Sequence, residues 1–290
     1  MRRLLVLVAS VVALLSMGTP SAQAITGNFE PDFEHEYVGL VVFYDENGEF
    51  AHRCTGSLIS PTVFLTAGHC VVIDDATGEL ATSARIYFQQ DAGADYDPVT
   101  DTPASSGYPY TGGVTAHTFY AFDYQGITVP ATNNDVGLVI LDEPYELDTY
   151  GSLAAPGTLE LYGTGPDARV TVSGYGVTYV NGNPAATISY RSRLMVDTWI
   201  IGTGGVANGI NVQLSSAPGR GGGGTCFGDS GGPTLLYGTD TIVAVTSFGM
   251  SRNVCGGTEF NFRVDTVAVQ EWMQSVLTDA QWDEINIVSL

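Results

Sequence analysis

Lysine is absent from all 290 residues, and the ten basic residues are all arginine, set against 31 Asp and Glu. A chain this acidic offers no basic surface for phosphates, which excludes nucleic acid as a partner. The surplus of carboxylates reads as solubility rather than as a specific attraction to cationic substrates. Charged residues of both signs make up only 14% of the chain, and there are only four cysteines and four histidines. The cysteines lack zinc-type spacing. No glycine fingerprint of a nucleotide-binding turn occurs, and no repeat is evident. No cofactor and no metal are expected on these grounds.

The one long apolar run lies at the start. Arg2-Arg3, an apolar stretch from Leu4 to Met17 and Ala22-Gln23-Ala24 read as a signal peptide over residues 1–24. The stretch is too short and too early for a spanning helix, so secretion without a stable membrane anchor is expected. Export would carry the cysteines into an oxidising compartment, where disulfides are the rule.

What the chain has in abundance is glycine, with Val, Thr, Tyr and Phe in short runs, the mark of an all-β protein rich in turns. Val38 to Tyr44 reads as a strand, followed by Asn47-Gly48, a type I′ hairpin signal. Further strands are expected at Val63 to Ala67, at Ile86 to Phe88 and at Val136 to Leu141, the last opened by Asn134-Asp135. A second set runs from Arg169 to Gly174, through a hairpin at Asn181-Gly182, to Val264. The stretch from about 91 to 130 reads as an inserted surface loop. Its Asp91, Asp95, Asp97 and Asp101 are calcium-ligand candidates, but they match no calcium-loop spacing and are read as solvated turn residues. Val264, Ala268, Trp272 and Val276 fall on one helical face, with Asp265 as the expected N-cap. The division expected is a β half over 25–145, a second over 146–263, a helix over 264–278 and a tail over 279–290.

Thr225 to Pro233 carries the chemistry: a serine, Ser230, beside Asp229 and flanked by glycines. A nucleophilic serine needs a tight turn on which backbone N–H groups converge, and glycine permits that turn. The N–H groups of Gly228 and Ser230 would then form an oxyanion hole. The competing reading is a turn-rich loop with an incidental serine. A nucleophilic serine needs a base, and the base needs a carboxylate to fix its tautomer. Among His35, His52, His69 and His117, only His69 ends an apolar strand and precedes a cysteine.

Thr66-Ala67-Gly68-His69-Cys70, Asn134-Asp135-Val136-Gly137-Leu138 and Gly228-Asp229-Ser230-Gly231-Gly232-Pro233 resemble, in order, the three catalytic segments of the trypsin/chymotrypsin-like serine proteases. The resemblance implies two six-stranded antiparallel β-barrels with the site in the cleft between them, plus a C-terminal helix. It implies Ser230 as nucleophile, His69 as general base and Asp135 as its orienting carboxylate, and pairs Cys54 with Cys70 and Cys226 with Cys255. It further implies that a free amino group on Ile25, exposed by cleavage after Ala24, inserts beside Asp229.

The same resemblance places Gly224, Thr225, Phe227, Ser247, Phe248, Gly249 and Glu259 around the substrate pocket. Gly224 stands where trypsins carry an aspartate, so cleavage after Arg or Lys is not supported by that position. Glu259 either lies at the pocket's rear wall, restoring a basic preference, or stands exposed. The partners implied are protein or peptide substrates and protein inhibitors, with the chain a monomer. The competing function is a non-catalytic homologue acting as a binding module. A lipase-type esterase fits the short word Gly-x-Ser-x-Gly but requires the histidine last in order, whereas His69 comes first.

Overall fold

The computed structural model describes residues 25–74, 77–93, 115–120 (backbone only), 134–177, 191–203, 210–217, 222–249 and 255–290. Six strands form the first sheet: β1 (Val38–Tyr44), β2 (Phe50–Leu58), β3 (Val63–Thr66), β4 (Ser83–Tyr87), β5 (Thr115–Tyr120) and β6 (Asp135–Ile140). Their order is β4-β1-β2-β3-β6-β5, antiparallel throughout. A second set comprises β7 (Arg169–Gly174), β8 (Leu194–Gly202), β9 (Asn211–Ser216), β10 (Pro233–Leu236), β11 (Thr241–Gly249) and β12 (Gly257–Arg263). These run β10-β7-β8-β9-β12-β11, and a further β10–β11 pairing closes them into a ring. Closure removes the unpaired edge that an open sheet would present.

The strands form where the sequence stacks β-branched and aromatic residues on both faces. In β1 every residue but Val42 is buried, and in β3 all four are. The hairpin after β1 forms, but not as a type I′ turn. Only Gly48 has positive φ, at 75°, and the Asp45 carboxylate caps the N–H groups of Asn47 and Glu49. A carboxylate that holds the turn from its first position removes the need for Asn47 to adopt a left-handed conformation. The expected inserted loop also needs correction, because Thr115–Tyr120 is β5, an edge strand paired with β6 from Asp135↔Tyr120 to Ile140↔Thr115. Asp95, Asp97, Asp101 and the Asn181-Gly182 hairpin lie outside the described residues.

Each lobe has its own apolar core, and a third cluster joins them. Ile59, Leu65, Val136 and Leu138 of the first lobe meet Leu235, Val245 and Phe262 of the second, together with Val269 and Met273. The last two belong to helix α3 (Val267–Val276), introduced after two short helices, α1 (Gly68–Val71) and α2 (Thr158–Tyr162). The buried face of α3 is thus centred on Val269 and Met273, while Ala268 is exposed; a helix of 3.6 residues per turn drifts off a strict four-residue spacing. Its N-cap is Thr266, which accepts from the Val269 N–H, and not Asp265. Asp265 is buried, and its carboxylate is taken by the Arg263 guanidinium and the Leu159 N–H. The residues expected as a tail hold helix α4 (Asp279–Asp283), with a Thr278–Gln281 capping box, and a strand Ile287–Val288 lying parallel to Ser152–Ala154.

The front of the described chain is sewn to the second lobe. Thr26–Gly27 pairs with Gly223–Gly224, and Glu30–Pro31 pairs with Leu194 and Met195 of β8. Asp32, fully buried, then receives the Ser173 hydroxyl at 2.5 Å and lies 3.0 Å from His35 Nδ1. Arg193, also buried, donates to the Asp32 carbonyl and to the carbonyls of Val38 and Phe88, bridging the two lobes.

Candidate active site

His69 sits on α1, the single turn that follows β3, and its half-exposed ring faces β6. Its Nδ1 lies 2.8 Å from Asp135 Oδ2, and its backbone N–H donates to Asp135 Oδ1 at 2.9 Å. Asp135 is the first residue of β6 and is fully buried. The Ser247 hydroxyl, from the second lobe, donates to Asp135 Oδ2 at 2.5 Å. Burial alone would raise the Asp135 carboxyl, but the His69 charge and these hydrogen bonds hold it below the usual aspartate range. A carboxylate so fixed selects the tautomer with the proton on Nδ1 and leaves Nε2 as a base.

Ser230 lies on the loop between the Gly223–Gly224 strand and β10. Its carbonyl accepts the Thr55 N–H at 2.9 Å, and the Thr55 hydroxyl donates to the Gly228 carbonyl at 2.8 Å. The next residue, Gly231, has φ 80°, and a Cβ there would stand 2.1 Å from Thr66 Oγ1 and 2.7 Å from the Ala67 nitrogen. Only glycine lets this loop press against the strand end that delivers His69. The N–H groups of Asp229, Gly231 and Gly232 bond to the carbonyls of Cys226, Thr246 and Asp229. Disulfides join Cys54 to Cys70 and Cys226 to Cys255, bracing the His69 turn and the loop before Ser230. The Cys54 and Cys70 sulfurs lie within 4.8 Å of a His69 ring nitrogen, but bonded to each other they offer no thiolate to a metal.

Asp229 is fully buried and accepts the N–H groups of Gly176 (2.7 Å) and Cys226 (2.8 Å). Burial pushes its carboxyl up to about 7, against those two hydrogen bonds. Among the described residues no cation pairs with it. Ile25 is also fully buried, within the second lobe's core, and the chain ahead of it makes its nitrogen an amide rather than an ammonium.

Of the expected pocket residues, Gly224, Thr225 and Gly249 adjoin Glu259. Phe248 stacks on Phe260 with centroids 4.8 Å apart, Gly249 is opposite Glu259 across β11–β12, and Phe227 is exposed. Ser247 has its hydroxyl on Asp135, so its side chain supports that carboxylate. Glu259 is buried, which overturns its exposed reading, and its Oε2 accepts from Thr225 N, Thr225 Oγ1 and Ser216 Oγ.

Thr55, Ser247 and Ser216 carry the site's supporting hydrogen bonds, and the sequence reading gave none of these side chains such a role. Thr55 and Ser216 sit at inward positions of strands, where alternation is the only sequence signal and a buried hydroxyl resembles any other small residue.

A family model described as Trypsin matches residues 28–273. Trypsin zeta of Drosophila erecta is 29% identical over 215 residues, 70% of this chain and 66% of that protein, so the match falls just short of two thirds of that relative. Trypsin of Phaedon cochleariae is 27% identical over 252 residues, 83% of this chain and 88% of that one. In fold, human heparin binding protein superposes with a TM-score of 0.57 at 20% identity, over 87% of this chain and 97% of its own. With the family model matching most of the sequence, the chain belongs to the trypsin family.

Proposed function

We propose that this chain is an exported serine endopeptidase. Ser230 is the nucleophile, His69 the general base and then acid, and Asp135 the carboxylate that orients it. The observation that carries this reading is the His69–Asp135 pair, a ring nitrogen 2.8 Å from a fully buried carboxylate. With the proton on Nδ1 held there, Nε2 accepts the Ser230 proton as Oγ bonds to the substrate carbonyl carbon. The oxyanion is taken by the N–H groups of Gly228 and Ser230. The C–N bond then breaks as His69 returns its proton to the leaving amine, and water repeats the sequence to free the acyl group. Release of residues 1–24 exposes the Ile25 amino group, whose charge pairs with Asp229 and completes the oxyanion hole. The two lobes, over 25–145 and 146–263, form the cleft walls.

Family membership supports this reading, as does the Thr55 N–H that holds the Ser230 carbonyl from the other lobe, next to the Cys54–Cys70 disulfide that braces the His69 turn. The test is peptide hydrolysis by the Ser230→Ala variant, expected to fall by about 10³-fold or more. A fluorophosphonate probe is expected to label Ser230. Undiminished hydrolysis by the variant, or a label on another residue, overturns the mechanism. The second reading is a non-catalytic binding module, favoured by the fold likeness to human heparin binding protein. The net charge of −21 opposes any polyanion as its ligand. Intact, folded protein that neither hydrolyses peptides nor takes up the probe would decide for it.

A further inference from the structure

Asp32 and Ser173 stand 141 positions apart in the chain, and both are fully buried where they meet. The Ser173 hydroxyl donates to Asp32 Oδ2 at 2.5 Å, and His35 Nδ1 lies 3.0 Å from the same oxygen. Oδ1 accepts the N–H groups of Glu34 (2.9 Å) and His35 (3.0 Å). Buried Arg193 stands beside this carboxylate, its Nε 3.9 Å from Oδ2 and 3.2 Å from the Asp32 carbonyl oxygen. A buried carboxylate satisfied on both oxygens is a stiff joint, since displacing a donor leaves charge uncompensated away from water. None of the catalytic steps uses this joint.

What the joint holds lies against the reacting serine. Ser173 is on β7, and the chain from Ser173 to Val177 is buried throughout. The Tyr175 N–H donates to Thr55 Oγ1 at 3.0 Å, and that hydroxyl donates to the Gly228 carbonyl. The Gly176 N–H donates to Asp229 Oδ1 at 2.7 Å, and the Val177 N–H to the Phe227 carbonyl at 2.8 Å. No slack separates the two segments. A Cβ on Gly174 would stand 2.3 Å from Asp229 Oδ1, and one on Gly232 2.4 Å from the Ser173 carbonyl oxygen. Residues 173–177 are thus a platform in contact with the serine loop on both sides of Ser230. Arg193 steadies the same platform, with Nη1 3.4 Å from the Tyr175 hydroxyl.

Resting on the endopeptidase reading above, we propose that Asp32 is a positioning residue for Ser230: through the Ser173 hydroxyl it fixes the platform on which the serine loop lies. It touches no reacting atom. Protein interiors are close-packed, so a shift at Ser173 passes to the loop instead of being absorbed on the way. This hold is separate from the pairing of Thr26–Gly27 with Gly223–Gly224, so the front of the described chain reaches the loop by two routes. Tyr37 supplies the contrast. Its hydroxyl also ties the front of the chain to the second lobe, but it donates to Asp240 at 3.0 Å, on the turn before β11 and not on the platform.

The test measures kcat, KM, melting and amide hydrogen exchange for Ser173→Ala, Asp32→Asn and the contrast Tyr37→Phe. Ser173→Ala removes one hydroxyl and leaves Asp32 the N–H groups of Glu34 and His35, so it decides the matter even where Asp32→Asn fails to fold. A reacting group misplaced by about 1 Å costs about a hundredfold in rate, so each variant is expected to lose about ten- to a hundredfold in kcat with KM little changed. Tyr37→Phe is expected to lower the melting temperature and keep the wild-type kcat. Wild-type kcat in Ser173→Ala, or an equal fall in Tyr37→Phe, overturns the inference and leaves the catalytic mechanism standing. Amide exchange reads the same coupling without turnover. In Ser173→Ala, residues 174–177 and 226–232 should exchange faster while β1 and β3 stay protected, and Tyr37→Phe should leave both segments as in wild type. If the wild type neither hydrolyses peptides nor takes up fluorophosphonate, the endopeptidase reading fails by itself. The hold of Asp32 on the serine loop is then judged by exchange: faster exchange in Ser173→Ala supports it, and unaltered exchange in both segments sinks it.

Discussion

The Thr55 hydroxyl donates to the Gly228 carbonyl at 2.8 Å while accepting the Tyr175 N–H at 3.0 Å, and the Thr55 N–H holds the Ser230 carbonyl at 2.9 Å. One first-lobe residue thus fixes the serine loop from both sides. Thr55→Val keeps the shape and the N–H but strands the Tyr175 N–H and the Gly228 carbonyl. Loss of about 1–3 kcal/mol is expected, with melting lowered by about 2–4 °C for each kcal/mol in a chain of this size. The fall in kcat should exceed any change in KM, because the loop positions the reacting oxygen. Thermal melting and steady-state kinetics check both, and an unaltered kcat would remove Thr55 from the site.

Ser247→Ala leaves the His69–Asp135 pair in place but deprives Asp135 of the donor at 2.5 Å. A hydrogen bond to a charged group is worth about 1.5–3 kcal/mol. Without it the Asp135 carboxyl is expected to rise, so the acid limb of the kcat/KM profile moves to higher pH. A pH–rate profile identical to wild type would show that the hydroxyl does not tune this carboxylate.

Asp229 gives a pH prediction with a definite sign. Its folded pKa of about 7 stands above the ordinary value of 3.8, so the native state holds a proton that the unfolded chain releases. Its contribution is complete below about pH 4 and is lost as pH rises through about 7, on the order of a few kcal/mol. This applies while residues precede Ile25. Urea midpoints at pH 5 and pH 8, for chains with and without a short extension ahead of Ile25, measure it. The extended chain should weaken at pH 8, and Asp229→Asn should flatten the dependence. Equal slopes in both chains would argue against a salt bridge between Ile25 and Asp229.

Asp32 and His35 set a different window. Asp32 titrates at about 2: burial opposes ionisation, but the His35 hydrogen bond and charge and the Ser173 hydroxyl outweigh it. His35 is raised, Asp32 overcoming the cost of burying its charge. The Asp32 contribution is present above about pH 3.8 and lost as pH falls through about 2. That of His35 is present below about pH 6.5 and lost as pH rises through its folded value. Asp32→Asn should therefore cost most near pH 5, and more than a surface pair would, since buried Arg193 loses its nearest charge. Denaturation curves at pH 3, 5 and 8 resolve this.

How much of this was legible in the sequence depended on the kind of signal. His69, Asp135 and Ser230 each sit in a contiguous word, and the β class follows from short apolar runs between turns. Thr55 and Ser216 belong to no word; their roles arise from strand pairing that brings distant residues together. Asp265 is no cap because Arg263, two residues back, and the Leu159 N–H, 106 residues away in sequence, take its carboxylate, and the second of these is a pairing that local pattern does not encode. Thr115–Tyr120 sits among turn formers, and only its pairing with β6 makes it a strand. Glu259 falls between two readings in the sequence, since counting along the chain does not reveal which way a strand faces.

The antiparallel match of Thr26–Gly27 with Gly223–Gly224 makes the front of the described chain a backing strand for the segment that leads into the Ser230 loop. Removing Thr26 and Gly27 would strip Gly223 and Gly224 of their strand partner. A truncation at the front would therefore be felt far along the chain, in the loop that carries Ser230.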